Sequence, residues 1–164
     1  MAHTSAPVRI IGLGNRYRRD DGAGLAVLQE LAGRDLPGQD LPSVELRAES
    51  GEGAALMEAW QGAQRVILVD AVQAGGVPGT IYRLDPWEQP IPTEFFHYST
   101  HAFSLAEAVE LARVLGQLPP ALVIYGIQGA DFGAGEGLSP PVAAAVPAVA
   151  DRILQELAQP MPGG

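Results

Sequence analysis

The sequence contains no cysteine, which excludes disulfides, thiolate zinc sites and a cysteine nucleophile. Basic residues are scarce, with 10 Lys and Arg against 19 Asp and Glu and a formal net charge of −9. This balance argues against binding to a nucleic-acid backbone, which needs clustered positive charge. No apolar run reaches membrane-spanning length, and residues 1–7 lack the apolar core of a secretory signal. We therefore expect a cytoplasmic protein without a nucleic-acid or membrane partner.

The rest of the composition is that of a folded protein. Apolar residues make up 47% of the chain and charged residues only 18%, so disorder of the whole is not expected. The 20 glycines and 14 prolines indicate many tight connections between elements. A length of 164 residues suits a single domain spanning 1–164. We also expect a monomer.

The stretch 8–24 organises the predicted fold. An apolar run over 8–13 breaks into glycines, then a short basic loop, then the adjacent carboxylates Asp20 and Asp21. Behind them, apolar residues recur at helical spacing: Leu25, Val27, Leu28 and Leu31. The pattern predicts a strand, a turn and a helix. Asp20 and Asp21 then lie at the helix entrance, where an ionised carboxylate can cap exposed N–H groups.

Four further segments are predicted strands. The runs 65–70 and 121–127 are apolar almost throughout, which is typical of central parallel strands covered on both faces. Alternation over 44–49 predicts a half-exposed strand. Only residues 71–79 separate Asp70 from the next strand-like run, too few for a helical crossover. The strand at about 79–84 should therefore run antiparallel.

Three further helices are predicted between and after these strands. Ser50 can cap a helix that ends at Trp60, and Ser104 with Glu107 matches a capping box. Apolar stripes indicate the buried faces of the last two helices: Leu105, Val109, Ala112 and Leu115, then Val142, Val146, Val149, Ile153 and Leu157. Together these elements predict a three-layer α/β/α sandwich around a mixed five-stranded sheet.

Asp21 and Asp70 both follow the carboxyl ends of predicted strands. If the first and third strands are neighbours, the two carboxylates flank the crevice where open α/β sheets bind ligands. His101, just ahead of a capped helix, is the nearest nitrogen ligand. Two carboxylates and a neutral imidazole form a three-ligand set with open positions, suited to a divalent transition metal. Taken singly, an aspartate at position 21 is more typical of a helix cap, and His101 is more typical of a structural or solvent-exposed histidine.

Other motifs favour other interpretations. Gly12-Leu13-Gly14 suggests a dinucleotide loop, but Tyr17 stands where its third glycine belongs. Arg16, Arg18 and Arg19 can steer an anionic partner or simply form a solvated loop. The sequence contains no G-x-S-x-G elbow and no H-E-x-x-H helix. A hydrolase with this sequence would thus use a metal-bound or carboxylate-activated water.

The sequence resembles the hydrogenase maturation proteases. The matching segments are Gly12-Leu13-Gly14-Asn15 through Asp20-Asp21-Gly22-Ala23-Gly24, Val66-Ile67-Leu68-Val69-Asp70-Ala71, Ser99-Thr100-His101 ahead of Ser104-Leu105-Ala106-Glu107, Tyr125-Gly126-Ile127-Gln128, and Leu138-Ser139-Pro140. The resemblance covers nearly the whole chain. It implies a phosphorylase-like fold and an endopeptidase that trims the C-terminal extension of the [NiFe] hydrogenase large subunit. One departure is Gly51-Glu52-Gly53, where a Gly-Thr pair is expected.

The resemblance also implies that Asp21, Asp70 and His101 sense nickel that belongs to the precursor. We therefore predict a nickel-dependent peptidase in which these three residues are both the metal ligands and the catalytic residues, with no other cofactor. The general base is undecided; Asp20 is a candidate whose position suits a structural role better. Two alternatives are a non-catalytic partner that checks the precursor's metal, and a nucleotide-binding module that uses 12–24 as a phosphate loop.

Overall fold

A computed structural model describes residues 8–34, 44–96 and 103–159. His101 lies outside these ranges. The strands are β1 (Val8–Leu13), β2 (Val44–Glu49), β3 (Arg65–Val72), β4 (Ile81–Leu84) and β5 (Ala121–Gln128). The helices are α1 (Ala23–Ala32), α2 (Gly53–Trp60), α3 (Leu105–Leu115) and α4 (Pro140–Ala158), with 3₁₀ turns at Arg19–Gly22 and Thr93–Phe96.

The five strands form one mixed sheet in the order β2-β1-β3-β5-β4. β1 pairs in parallel with β2 and β3, and β3 pairs in parallel with β5. β4 is antiparallel to β5, with Ile81 opposite Ile127. The connection after β3 is too short for a helical crossover, and the antiparallel strand predicted from its length is confirmed. β1 and β3 are neighbours, as the site prediction requires.

Helices cover both faces of the sheet. Successive strand residues point to opposite faces, so Ile10 and Ile67 join the core under α1 and α4, while Ile11 and Leu68 join the core under α2 and α3. Apolar character at every position of a central strand is what two buried faces demand. The predicted three-layer α/β/α arrangement is therefore confirmed.

The predicted helix faces are correct except at one end. Val142, Val146, Val149 and Ile153 are buried in α4, and the Ser104–Glu107 capping box of α3 is present. Leu115 was predicted to be buried but is 53% exposed. It lies in the last turn of α3, just before the left-handed Gly116 that ends the helix, and the neighbouring Val114 is exposed as well.

The cap of α2 was also predicted wrongly. Glu52, not Ser50, accepts hydrogen bonds from the amides of Ala54 and Ala55. Ser50 Oγ instead accepts from the amide of Glu52. The helix begins two residues later than a Ser50 cap would require. Glu52 is therefore the N-cap residue, and its carboxylate accepts from amides in the first turn of α2.

Candidate functional site

Glycines bring α1 and the turn before it onto the carboxyl ends of β1 and β3. A Cβ atom on Gly24 would lie 2.3 Å from the carbonyl oxygen of Val69 and 2.6 Å from that of Leu13. A Cβ on Gly14, whose φ is +131°, would lie 1.9 Å from the carbonyl oxygen of Asp21. Any side chain at these positions would push the turn away from the sheet. The glycines therefore fix where Asp21 lies.

Asp21 and Asp70 lie at the carboxyl-end side of adjoining strands, and both are buried. Asp21 is 7% exposed, and its Oδ2 accepts a hydrogen bond of 2.9 Å from the amide of Asn15. Asp70 is 6% exposed, and its Oδ1 accepts a hydrogen bond of 2.8 Å from the amide of Ala71. The 3₁₀ turn that carries Asp21 contacts β3, which carries Asp70. Carboxylate oxygens are groups of the kind that cations bind in proteins.

Two local expectations about these aspartates were wrong. Asp70 does not end its strand, because β3 continues to Val72 by pairing with the long strand β5. Neither Asp20 nor Asp21 caps α1, whose N-cap is Gly22 and receives no side-chain hydrogen bond. The 3₁₀ turn precedes the helix and directs both carboxylates elsewhere.

Asp20 has a structural role, through hydrogen-bond partners that the sequence did not reveal. It is fully buried and accepts hydrogen bonds of 2.7–2.9 Å from the amides of Ala130, Asp131 and Ser139 and from the Ser139 hydroxyl. Burial alone would raise the pKa of the carboxyl, but these hydrogen bonds outweigh burial and lower the pKa. Asp20 thus ties the glycine-rich loop 129–137 and Ser139, the N-cap residue of α4, to the turn that carries Asp21. Only the Ser139-Pro140 helix start hinted at this partner.

Substitution of Asp20 by Asn should destabilise the protein by about 2–3 kcal/mol at pH 7, because the amide nitrogen would face N–H donors in a buried site. The lowered pKa of Asp20 means that its ionised form stabilises the fold above the ordinary carboxyl value of 3.8. This stabilisation is lost as the pH falls below that value toward the folded-state pKa. The difference in the free energy of unfolding between variant and wild type should therefore shrink in acid. Denaturant titrations at several pH values measure it.

Glu58→Gln is the matched control, since Glu58 is exposed on α2. This variant should unfold like the wild type at every pH. A difference for Asp20→Asn that is equally large at neutral and acid pH would contradict the role of the ionised carboxylate.

The third predicted ligand, His101, is not among the described residues, so the three-ligand set stays a prediction. Within 8–34, 44–96 and 103–159, no group of three His, Cys, Asp or Glu side chains is arranged to hold a metal ion. In that same part of the chain, no helix has the length and apolar character needed to cross a bilayer.

Comparisons with known proteins agree with this architecture. The sequence model of the family described as HycI, hydrogenase maturation protease, matches residues 49–156. A putative hydrogenase maturation protease of Methanocaldococcus jannaschii is 30% identical over 155 residues, covering 92% of this chain and 96% of the relative. The hydrogenase 2 maturation protease of Escherichia coli is 26% identical over 153 residues, covering 92% of this chain and 90% of the relative.

A solved structure shares the fold. The hydrogenase maturating endopeptidase HybD from Escherichia coli aligns with a TM-score of 0.76 and 25% identity, over 92% of this chain and 91% of that chain. The family match extends over more than half of the sequence, and the relatives cover nearly all of it. The chain therefore belongs to the hydrogenase maturation protease family.

Proposed function

We propose that this protein is an endopeptidase that removes the C-terminal extension of a [NiFe] hydrogenase large-subunit precursor after recognising the nickel inserted in that precursor. Membership of a protease family supports hydrolysis of a peptide bond. The observation that supports the rest is a pair of buried carboxylates: Asp21 lies in the 3₁₀ turn that follows β1, and Asp70 lies on the adjoining strand β3.

The proposed ligands of the precursor's nickel are Asp21, Asp70 and His101. Carboxylate and imidazole donors suit a divalent transition metal. Three protein ligands leave coordination positions for groups of the precursor itself, as a metal carried by the substrate requires. The amides of Asn15 and Ala71 hold one oxygen of each carboxylate, which limits the rearrangement needed on binding.

The proposed reaction is hydrolysis of the peptide bond beside the metal. The nickel of the precursor polarises the peptide carbonyl, and a water molecule attacks its carbon. The C–N bond then breaks, and the new amine takes up the proton that the water releases. Asp20 does not suit the role of general base, because its carboxylate is fully buried, carries four hydrogen bonds and has a lowered pKa.

The nucleotide-binding alternative finds less support in the glycine-rich turn after β1. A phosphate loop offers free backbone N–H groups to the ligand. Here the amide of Gly14 donates to the carbonyl of Glu49, and the amide of Asn15 donates to the carboxylate of Asp21. The carboxylate also occupies the space beside Gly14 and would repel a phosphate.

The purified protein should shorten a nickel-loaded large-subunit precursor and leave the same precursor intact when it has been produced without nickel. The reason is that the metal, in this proposal, both anchors the substrate and polarises its carbonyl. Intact-mass spectrometry of the large subunit over time measures the cleavage.

Each other outcome identifies the part that fails. Equal cleavage of both precursors would retain the endopeptidase and overturn nickel recognition. Binding of the loaded precursor without cleavage would favour the non-catalytic metal-checking partner. Neither binding nor cleavage would overturn the proposed function as a whole.

A further inference from the structure

A groove of about 480 Å³ lies between α1 and the glycine-rich loop, beside the turn that carries Asp21. Its apolar lining comes from Leu25, Ala26, Ala48 and Leu138. Arg16 and Arg19 also line the groove, as does Glu136, which pairs with Arg16. A lining that combines apolar side chains with guanidinium groups is suited to an extended peptide that has both apolar and acidic side chains.

The cations of this groove are unusual in so acidic a chain. Three of the 10 basic residues, Arg16, Arg18 and Arg19, fall within four positions, while the whole protein has a net charge of −9. Of these three, Arg16 and Arg19 line the groove. Arg16 lies 3.6 Å from Glu136, and both side chains are more than 60% exposed. The distance from Arg19 to Asp131 is 3.7 Å, again with both partners about half exposed. Exposed ion pairs of this length contribute little, so an incoming carboxylate can replace either acidic partner.

The backbone holds the cationic loop in a fixed and strained form. The amide of Arg19 donates to the carbonyl of Gly135, and the amide of Gly135 donates to the carbonyl of Tyr17, at 2.9 Å each. Arg19 has a φ of +47°, a conformation that a residue with a side chain adopts rarely. Such strain persists where surrounding contacts maintain it, and it concentrates at functional sites. The guanidinium of Arg16 lies 5.2 Å from the ring centre of Tyr17. This cation–π contact restricts the conformations of the Arg16 side chain.

We infer that this groove binds an acidic, partly apolar segment of the hydrogenase precursor, next to the metal-bearing part of that substrate. This inference rests on the proposed function. Gly22, which lines the groove, directly follows Asp21. A precursor with its metal at Asp21 can therefore place an adjoining segment in the groove. Carboxylates of that segment pair with Arg16 and Arg19 while its apolar side chains cover Leu25.

Reversal of the Arg16 charge tests this inference. In processing assays with the nickel-loaded precursor at low ionic strength, Arg16→Glu should raise KM about tenfold and leave kcat unchanged, because the groove binds substrate without touching the reacting bond. Arg16→Lys keeps the charge and should behave like the wild type. Added salt should raise the KM of the wild type and have a smaller effect on that of Arg16→Glu.

Arg152→Glu is the matched control, an equal charge reversal at an exposed position of α4. An equal rise in KM for this variant would show a general charge effect and overturn the groove. An unchanged KM for Arg16→Glu would also overturn it while the proposed function stands. If the wild type does not cleave the precursor, the proposed function fails. Calorimetric measurement of the affinity for the same precursor then tests separately whether the groove binds it. Equal affinity of wild type and Arg16→Glu then contradicts it, and a tenfold weaker affinity of the variant supports it.

Discussion

Asp70→Asn is expected to abolish measurable processing of the nickel-loaded precursor while the protein stays folded. A substrate metal that polarises the scissile carbonyl contributes several kcal/mol to the transition state, and each 1.36 kcal/mol is a factor of ten. Loss of an anionic ligand should thus slow cleavage on the order of a thousandfold. Asparagine has nearly the same shape as aspartate, and its carbonyl oxygen can still accept the hydrogen bond from the amide of Ala71.

Initial rates of large-subunit shortening, together with thermal unfolding of the variant, check this expectation. Glu58→Gln makes the same carboxylate-to-amide change on the exposed surface of α2 and should process the precursor at the wild-type rate. Near-normal cleavage by Asp70→Asn would remove Asp70 from the proposed metal site. A large drop in the melting temperature would instead assign it a structural role.

Gly24→Ala should be strongly destabilising, because α1 packs directly on the backbone of the sheet at this position. The added Cβ would lie 2.3 Å from the carbonyl oxygen of Val69 and 2.6 Å from that of Leu13, and both are backbone atoms that cannot rotate away. We expect a loss of about 4 kcal/mol or more in the free energy of unfolding, at the upper end of what point substitutions do. For a protein of this size that corresponds to a melting temperature lower by about 10 °C or more.

Gly33→Ala is the matched control for this change. A Cβ on Gly33 would have only the carbonyl oxygen of Glu30 nearby, at 3.7 Å, and the φ of −90° suits alanine. Thermal unfolding of the two variants side by side is the measurement. Equal melting temperatures for Gly24→Ala and the wild type would mean that α1 can move off the sheet, and that Asp21 is not held as described.

The features that the sequence predicted correctly are those with a local pattern. Apolar runs such as 65–70 mark strands with two buried faces, whatever their neighbours are. The antiparallel direction of β4 follows from the length of the connection after β3 alone. The site prediction assumed that the first and third strands are neighbours, and β1 does pair with β3.

The features that could not be predicted from the sequence depend on contacts between distant segments of the chain. Asp20 and Ser139 are 119 positions apart, and no local pattern tells a buried hydrogen-bond acceptor from a helix cap. The same holds for Asp70, where pairing with β5 extends the strand beyond the carboxylate. The wrong prediction that Leu115 is buried has another origin. Helical periodicity gives the direction of a side chain, but it does not say whether another element packs against that side chain.

The two edge strands of the sheet determine how readily this protein aggregates by strand pairing. An unpaired strand edge invites pairing with other chains, and short or charged edges discourage it. At one margin β4 is only four residues long. At the other, β2 alternates apolar residues with Glu45, Arg47 and Glu49. Both edge strands are therefore poor templates for pairing with strands of other chains. We expect the protein to stay free of fibrillar aggregates at high concentration.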